Sequence, residues 1–204
     1  MKRLSVLLIF VACAFAQKPD KPLKNGLYAI FNTELGKFTA QLFEKDTPNS
    51  VVTFVQLAQG TLASRDPKTN AMVKRPLYDN TTFYRMMPGQ MFQGGSPNGT
   101  ASYDCGFVIK DEILPGLMFS QAGKLAFANA GPDTGGCQFF ITTGPVASWN
   151  GKYAIIGQVV EGLDVVAKID KVPVHGEQPV NPVKLISVTI QRVGPDPVVK
   201  KPKK

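Results

Sequence analysis

Short runs rich in β-branched and aromatic residues, separated by Gly, Pro and Asn, dominate residues 25–194. Leu27–Asn32 and Lys37–Phe43 flank Thr33-Glu34-Leu35-Gly36, which predicts a hairpin. Further strands are predicted at Thr82–Met86, Met91–Gln93, Lys124–Ala128, Gln138–Thr142, Ala154–Val160 and Leu185–Arg192. In the last of these, Ile186, Val188 and Ile190 alternate with Ser187, Thr189 and Gln191, the period of a strand with one covered face. Eight short strands suit a closed barrel, so the predicted fold is mainly β, a closed eight-stranded antiparallel barrel capped by two helices. The first helix should start at Thr47-Pro48, an N-cap followed by Pro, and stop at Gly60. Val51, Val52, Val55 and Ala58 fall on its inner face at helical spacing. Leu163–Ile169 predicts a second, shorter helix, and the polar stretch Asp66–Pro76 reads as a surface loop.

Composition removes several kinds of chemistry. One histidine, His175, excludes sites built on two imidazoles, and three cysteines exclude a four-cysteine zinc site. Neither a GxxxxGK[ST] phosphate loop nor a helix-opening GxGxxG occurs, so no metal and no nucleotide cofactor is expected. His175 reads as an exposed loop residue without a role. The net charge of +8 invites a nucleic-acid partner, but Lys2, Arg3 and the four lysines of Lys200–Lys204 carry most of it. Removing those two and four charges leaves +2 for residues 4–199. A nucleic-acid binder concentrates basic residues on its folded body, and this body is nearly neutral.

The termini read differently from the body. Residues 1–16 place Lys2 and Arg3 before an apolar run that ends in Ala14-Phe15-Ala16, the pattern of a cleaved signal peptide. The run from Leu4 to Ala16 is too short for a bilayer core of about 30 Å at about 1.5 Å per residue. Export to the periplasm or the exterior is therefore expected. Phe10-Val11-Ala12-Cys13 resembles a bacterial lipoprotein box with Phe in place of the usual Leu, so a lipid anchor at Cys13 is the less favoured alternative. Residues 17–24 read as a linker and 195–204, rich in Pro and Lys, as a disordered basic tail.

Two blocks in the body are specific. The first is Phe83-Tyr84-Arg85-Met86-Met87-Pro88-Gly89-Gln90-Met91-Phe92-Gln93-Gly94-Gly95, and the second runs from Ala126-Phe127-Ala128-Asn129-Ala130-Gly131-Pro132 through Gln138-Phe139-Phe140-Ile141. A segment Trp149-Asn150-Gly151-Lys152-Tyr153-Ala154-Ile155-Ile156-Gly157 follows. In this order they resemble the signature blocks of the cyclophilins, the peptidyl-prolyl cis/trans isomerases, over essentially all of residues 26–193. The resemblance implies a barrel with a helix at each end and an external active face. It also implies a monomer that rotates X-Pro bonds in proline-containing polypeptides without a cofactor. Arg85 matches the family's catalytic arginine and Gln93 the glutamine that orients it. Met91 and Phe140 match walls of the proline pocket, while Ala128, Asn129 and Gln138 match residues that hold the substrate backbone.

Some positions depart from the family pattern. Gln90 stands where most members carry a pocket phenylalanine, which implies a more polar wall and motivates an alternative: a proline-peptide-binding module or holdase with weak catalysis. Tyr153 replaces a common histidine. Trp149 falls on the pocket leucine, and Ser148 on the tryptophan associated with cyclosporin binding. Cys105 and Cys137 remain after signal removal. An even pair in an oxidising compartment is a candidate disulfide, and the resemblance places both beside the secondary pocket. Two separate buried thiols are the other reading.

Overall fold

The structure is a computed structural model and describes residues 22–196. The signal segment 1–16 with Cys13, most of the linker 17–24 and most of the tail 195–204 lie outside the described residues. The elements run β1 (Gly26–Thr33), β2 (Gly36–Leu42), α1 (Pro48–Gln59), β3 (Ser64–Arg65), β4 (Met72–Val73), β5 (Thr81–Phe83), β6 (Arg85–Met87), β7 (Met91–Gly94), β8 (Lys124–Phe127), β9 (Phe139–Thr142), β10 (Ile155–Glu161), α2 (Leu163–Asp170), β11 (Val174–His175), β12 (Gln178–Pro179) and β13 (Val183–Val193).

One antiparallel sheet forms in the order β5-β13-β1-β2-β10-β8-β9-β7-β6. It has nine strands rather than the expected eight, because the run predicted as Thr82–Met86 is split at Tyr84. The half before Tyr84 pairs with β13 and the half after it pairs with β7. These halves stand at opposite ends of the sheet order, so the chain itself crosses the seam and the barrel is nearly closed. A barrel of this size has an interior just wide enough to fill with side chains. Here Phe31, Phe38, Phe54, Phe83, Phe92, Phe127 and Phe139 fill it, all fully buried. Phe31 stacks on Phe38 at 4.6 Å, and Phe83 meets Phe92 edge-on at the same distance.

Helix α1 packs on β13, and α2 packs on β2 and β7. Gly60 ends α1 in the left-handed region at φ 73°, where an added Cβ would lie 2.4 Å from the Arg75–Pro76 backbone. Four local expectations need correction. Thr47 does not cap α1 with its side chain, which donates instead to the Phe43 and Ile155 carbonyls. Glu112, from a distant loop, accepts from the Asn49 and Ser50 N–H groups. Val52 is 53% exposed, the buried stripe being Val51, Phe54, Leu57 and Ala58. In β13, Ile186 is 45% exposed because the register shifts where Asn32↔Ser187 gives way to Thr33↔Leu185. That bulge reverses the alternation, so Leu185 and Val183 turn inward. The stretch Asp66–Pro76 is also more than a loop: β3 and β4 pair around it, and a buried Asp66 carboxylate accepts from the Lys68 and Thr69 N–H groups. Among the described residues no helix is long and apolar enough to cross a membrane.

Candidate active site

Strand alternation generates the site. In β7, Phe92 points into the barrel while Met91 and Gln93 point out; in β9, Phe139 points in and Phe140 points out. The outward residues gather a second apolar cluster of Met91, Phe119, Ala126, Phe140, Val146 and Ile155, bordered by Met87, Ala128, Trp149 and Tyr153. A short 3-10 turn, Ala147–Trp149, raises Trp149 over Phe140 at 5.4 Å and 84°. Tyr153 stands edge-on to Phe140 at 5.2 Å. These upright rings bound a cleft of about 510 Å³.

At one side of this apolar slot lies a polar network. Arg85 and Gln93 are direct cross-strand partners, and the Arg85 Nη1 donates to Gln93 Oε1 at 3.1 Å. Gln93 is 5% exposed; its Nε2 donates to the Tyr84 hydroxyl at 2.6 Å and to Gln138 Oε1 at 3.0 Å. Tyr84 in turn donates to Gln138 Oε1. The Gln138 Nε2 donates to the carbonyls of Ala101 and Tyr103 at 3.1 Å each, so the chain of bonds ends on the loop forming the far rim. Burial pushes the Tyr84 hydroxyl far above its ordinary range, which keeps it a neutral donor. Gly95 lets β7 pass close beneath Gln138: at φ 86°, a Cβ there would lie 2.7 Å from the Cys137 carbonyl.

Arg85 has a further partner. Its Nε donates to Glu177 Oε2 at 2.6 Å, an ion pair whose side chains are 37% and 49% exposed. The bond from Arg85 holds the Glu177 carboxyl below its ordinary range, so it stays anionic at neutral pH. Opposite, the Asn129 side-chain amide donates to both Asp111 oxygens, at 3.2 and 3.0 Å, and to the Lys152 carbonyl at 2.9 Å. These bonds occupy the Asn129 amide nitrogen and fix the side chain.

The structure brings Arg85, Gln93, Met91, Ala128, Asn129, Gln138, Phe140, Trp149 and Tyr153 to this one cleft. Gln90 is not among its walls: it is exposed in the turn between β6 and β7, and Met87 lines the cleft instead. Cys105 and Cys137 also line it, and of the two readings of that pair the structure has the buried free thiols. The two thiols are hydrogen-bond neighbours of each other, and the Cys105 Sγ also donates to the Phe107 carbonyl at 3.6 Å. Burial raises the Cys137 thiol well above its ordinary range, so it stays protonated. Sequence reasoning missed Met87, Tyr84, Asp111 and Glu177. Tyr84 carried a signal, an aromatic ring with a polar tip immediately before Arg85; Asp111 and Glu177 lie on distant loops and carried none.

The family model for the cyclophilin type peptidyl-prolyl cis-trans isomerase/CLD matches residues 28–190. Peptidyl-prolyl cis-trans isomerase A of Mycobacterium tuberculosis is 39% identical over 165 residues, covering 79% of this chain and 91% of that one. Peptidyl-prolyl cis-trans isomerase B of Streptomyces anulatus is 38% identical over 169 residues, covering 81% and 97%. A crystal structure of a Cryptosporidium parvum cyclophilin type peptidyl-prolyl cis-trans isomerase, in the presence of the dipeptide Ala-Pro, superposes with a TM-score of 0.70 at 26% identity. It covers 81% of this chain and 99% of that one.

Proposed function

The chain belongs to the cyclophilin-type peptidyl-prolyl cis-trans isomerases, and from that premise we propose that Arg85 is the residue that catalyses X-Pro rotation in the cleft. The barrier of about 18–20 kcal/mol arises from amide resonance. A catalyst must therefore bind the twisted amide better than the planar one, and it needs neither nucleophile nor base. Twisting returns a lone pair to the prolyl nitrogen. A guanidinium donor beside it stabilises that state and gains nothing from the planar one. Arg suits the task because it stays charged and presents its donors in a rigid plane. Met91, Phe140 and Trp149 grip the proline ring, while Gln138 and the main chain at Ala128 and Asn129 hold the residues before it.

The observation that carries this reading is the Arg85 guanidinium at the rim of the slot, bonded to a buried Gln93 on the neighbouring strand. The alternative of a weakly catalytic binding module rested on Gln90, and with Gln90 outside the cleft walls that motive falls away. The test is exchange of a short X-Pro peptide measured by NMR with the parent and with Arg85→Ala; equal rates would remove Arg85 from the mechanism.

The sequence of residues 1–16 supports a second element of the proposal: the enzyme acts on exported polypeptides after its leader is removed. Mass spectrometry of the exported protein should find an N-terminus at Gln17. A lipidated Cys13 at that end would replace this reading with an anchored one.

A further inference from the structure

We propose that Glu177 is a positioning residue for catalysis, locking the plane of the Arg85 guanidinium from the side opposite Gln93. The inference rests on the reading of Arg85 as the catalytic donor. A single hydrogen bond at Nη1 leaves a planar guanidinium free to swing about that bond. A second bond at Nε, on another edge of the same rigid plane, removes the swing. Gln93 supplies the first at 3.1 Å and Glu177 the second at 2.6 Å. The Nη2 rests against the Met87 sulfur at 3.7 Å, beside the apolar slot. The donors not used by Gln93 and Glu177 are those of the Nη edge, the edge available to a prolyl nitrogen.

Glu177 reaches Arg85 because its own main chain is fixed. It sits in the two-residue turn of the β11–β12 hairpin, where Val174 pairs with Pro179 and His175 with Gln178. Gly176 makes the turn at φ 64°. The Glu177 carbonyl accepts the N–H of Met86, the residue after Arg85, at 2.8 Å. The hairpin is thus stitched to β6 by backbone, and side-chain substitutions at Glu177 leave that stitch in place. Since the pair is partly exposed and partly screened, its effect on rate is modest: about fivefold, or about 1 kcal/mol of barrier.

The test compares kcat and KM for a short X-Pro peptide in Glu177→Ala, Glu177→Gln, Arg85→Ala and the double variant Arg85→Ala/Glu177→Ala. Glu177→Ala should lower kcat about fivefold at unchanged KM and unchanged thermal midpoint. Glu177→Gln, which keeps an acceptor oxygen, should recover part of the loss. In the Arg85→Ala background, removal of Glu177 should change nothing, because it acts only through the guanidinium. Three results overturn the proposal. The first is an unchanged kcat in Glu177→Ala while Arg85→Ala is inactive. The second is an equal loss with and without Arg85, which would assign Glu177 to the hairpin alone. The third is full activity in Arg85→Ala, which would remove the catalytic reading itself and this one with it.

Discussion

Phe139 and Phe140 are consecutive residues of one strand and belong to two different aromatic clusters. The inner cluster is closed on every side: Phe139 meets Phe31, Phe54, Tyr78 and Phe83 at 5.1–6.3 Å, with strands and helices all around. The outer cluster starts equally well packed, with Phe140 against Phe119 at 5.7 Å, but its upper layer stops at Met87, Trp149 and Tyr153, which water reaches. Both use the same residue types and the same strands. What separates them is whether the last layer has a neighbour. A small barrel spends its interior on stability, so a ligand site has to be built outside, from the alternate positions of the same strands. On the proposed function, the outer cluster stays incomplete until a proline ring fills its slot.

Four substitutions probe that contrast. Phe139→Ala should have the largest effect, destabilising the fold by about 3–5 kcal/mol, because a fully enclosed ring leaves a cavity that cannot collapse. Urea denaturation measures it, and a cost below about 1 kcal/mol would contradict a filled interior. Arg85→Ala should lower kcat/KM about 100-fold, or about 2.7 kcal/mol, while the urea midpoint stays at the parent value. Phe140→Ala should divide its effect between the two roles. Proline-peptide affinity should fall by about 1–2 kcal/mol, with a smaller stability loss than Phe139→Ala. If Phe140→Ala destabilised as much as Phe139→Ala and left affinity untouched, the outer cluster would be core rather than site. Gln90→Phe should have the smallest effect, less than about twofold in KM, roughly 0.4 kcal/mol, because the residue lies outside the cleft walls. A marked rise in affinity would show that a ring in this turn folds back over the slot.

Much of this is legible in the sequence. Runs of β-branched and aromatic residues bounded by turn residues placed the eight strands, and Gly60 ended α1 where expected. Of the ten catalytic and substrate-contact positions expected from the resemblance, nine line the cleft and Gln90 does not. What escaped were features set by partners far along the chain. The pattern of Thr82–Met86 is continuous, and only its having different neighbours, β13 on one side and β7 on the other, divides it at Tyr84. The bulge opposite Asn32 and Thr33 reverses the face of Ile186, and no local signal in β13 announces it. Thr47 has the chemistry of a cap, but Glu112 lies close enough to the first turn of α1 to outcompete it with a charge. Glu177 is a charged turn residue until the hairpin is placed against β6. In each case the residue type was visible and its contact was not.

The seam at Tyr84 has a consequence for synthesis on the ribosome. Strand β13 lies between β1 and β5 and joins Gly26 to Val193, nearly the whole length of the described chain. Among the described residues the last strand to be made is therefore the one that holds the first against the strand leading into Arg85. Until it emerges, β1 and β5 are open edges, and Arg85 lacks the frame that aims it. A catalyst of other chains' proline rotations thus becomes active only once β13 has been made, and a nascent fragment ending before Val183 should carry every residue of the cleft without isomerase activity.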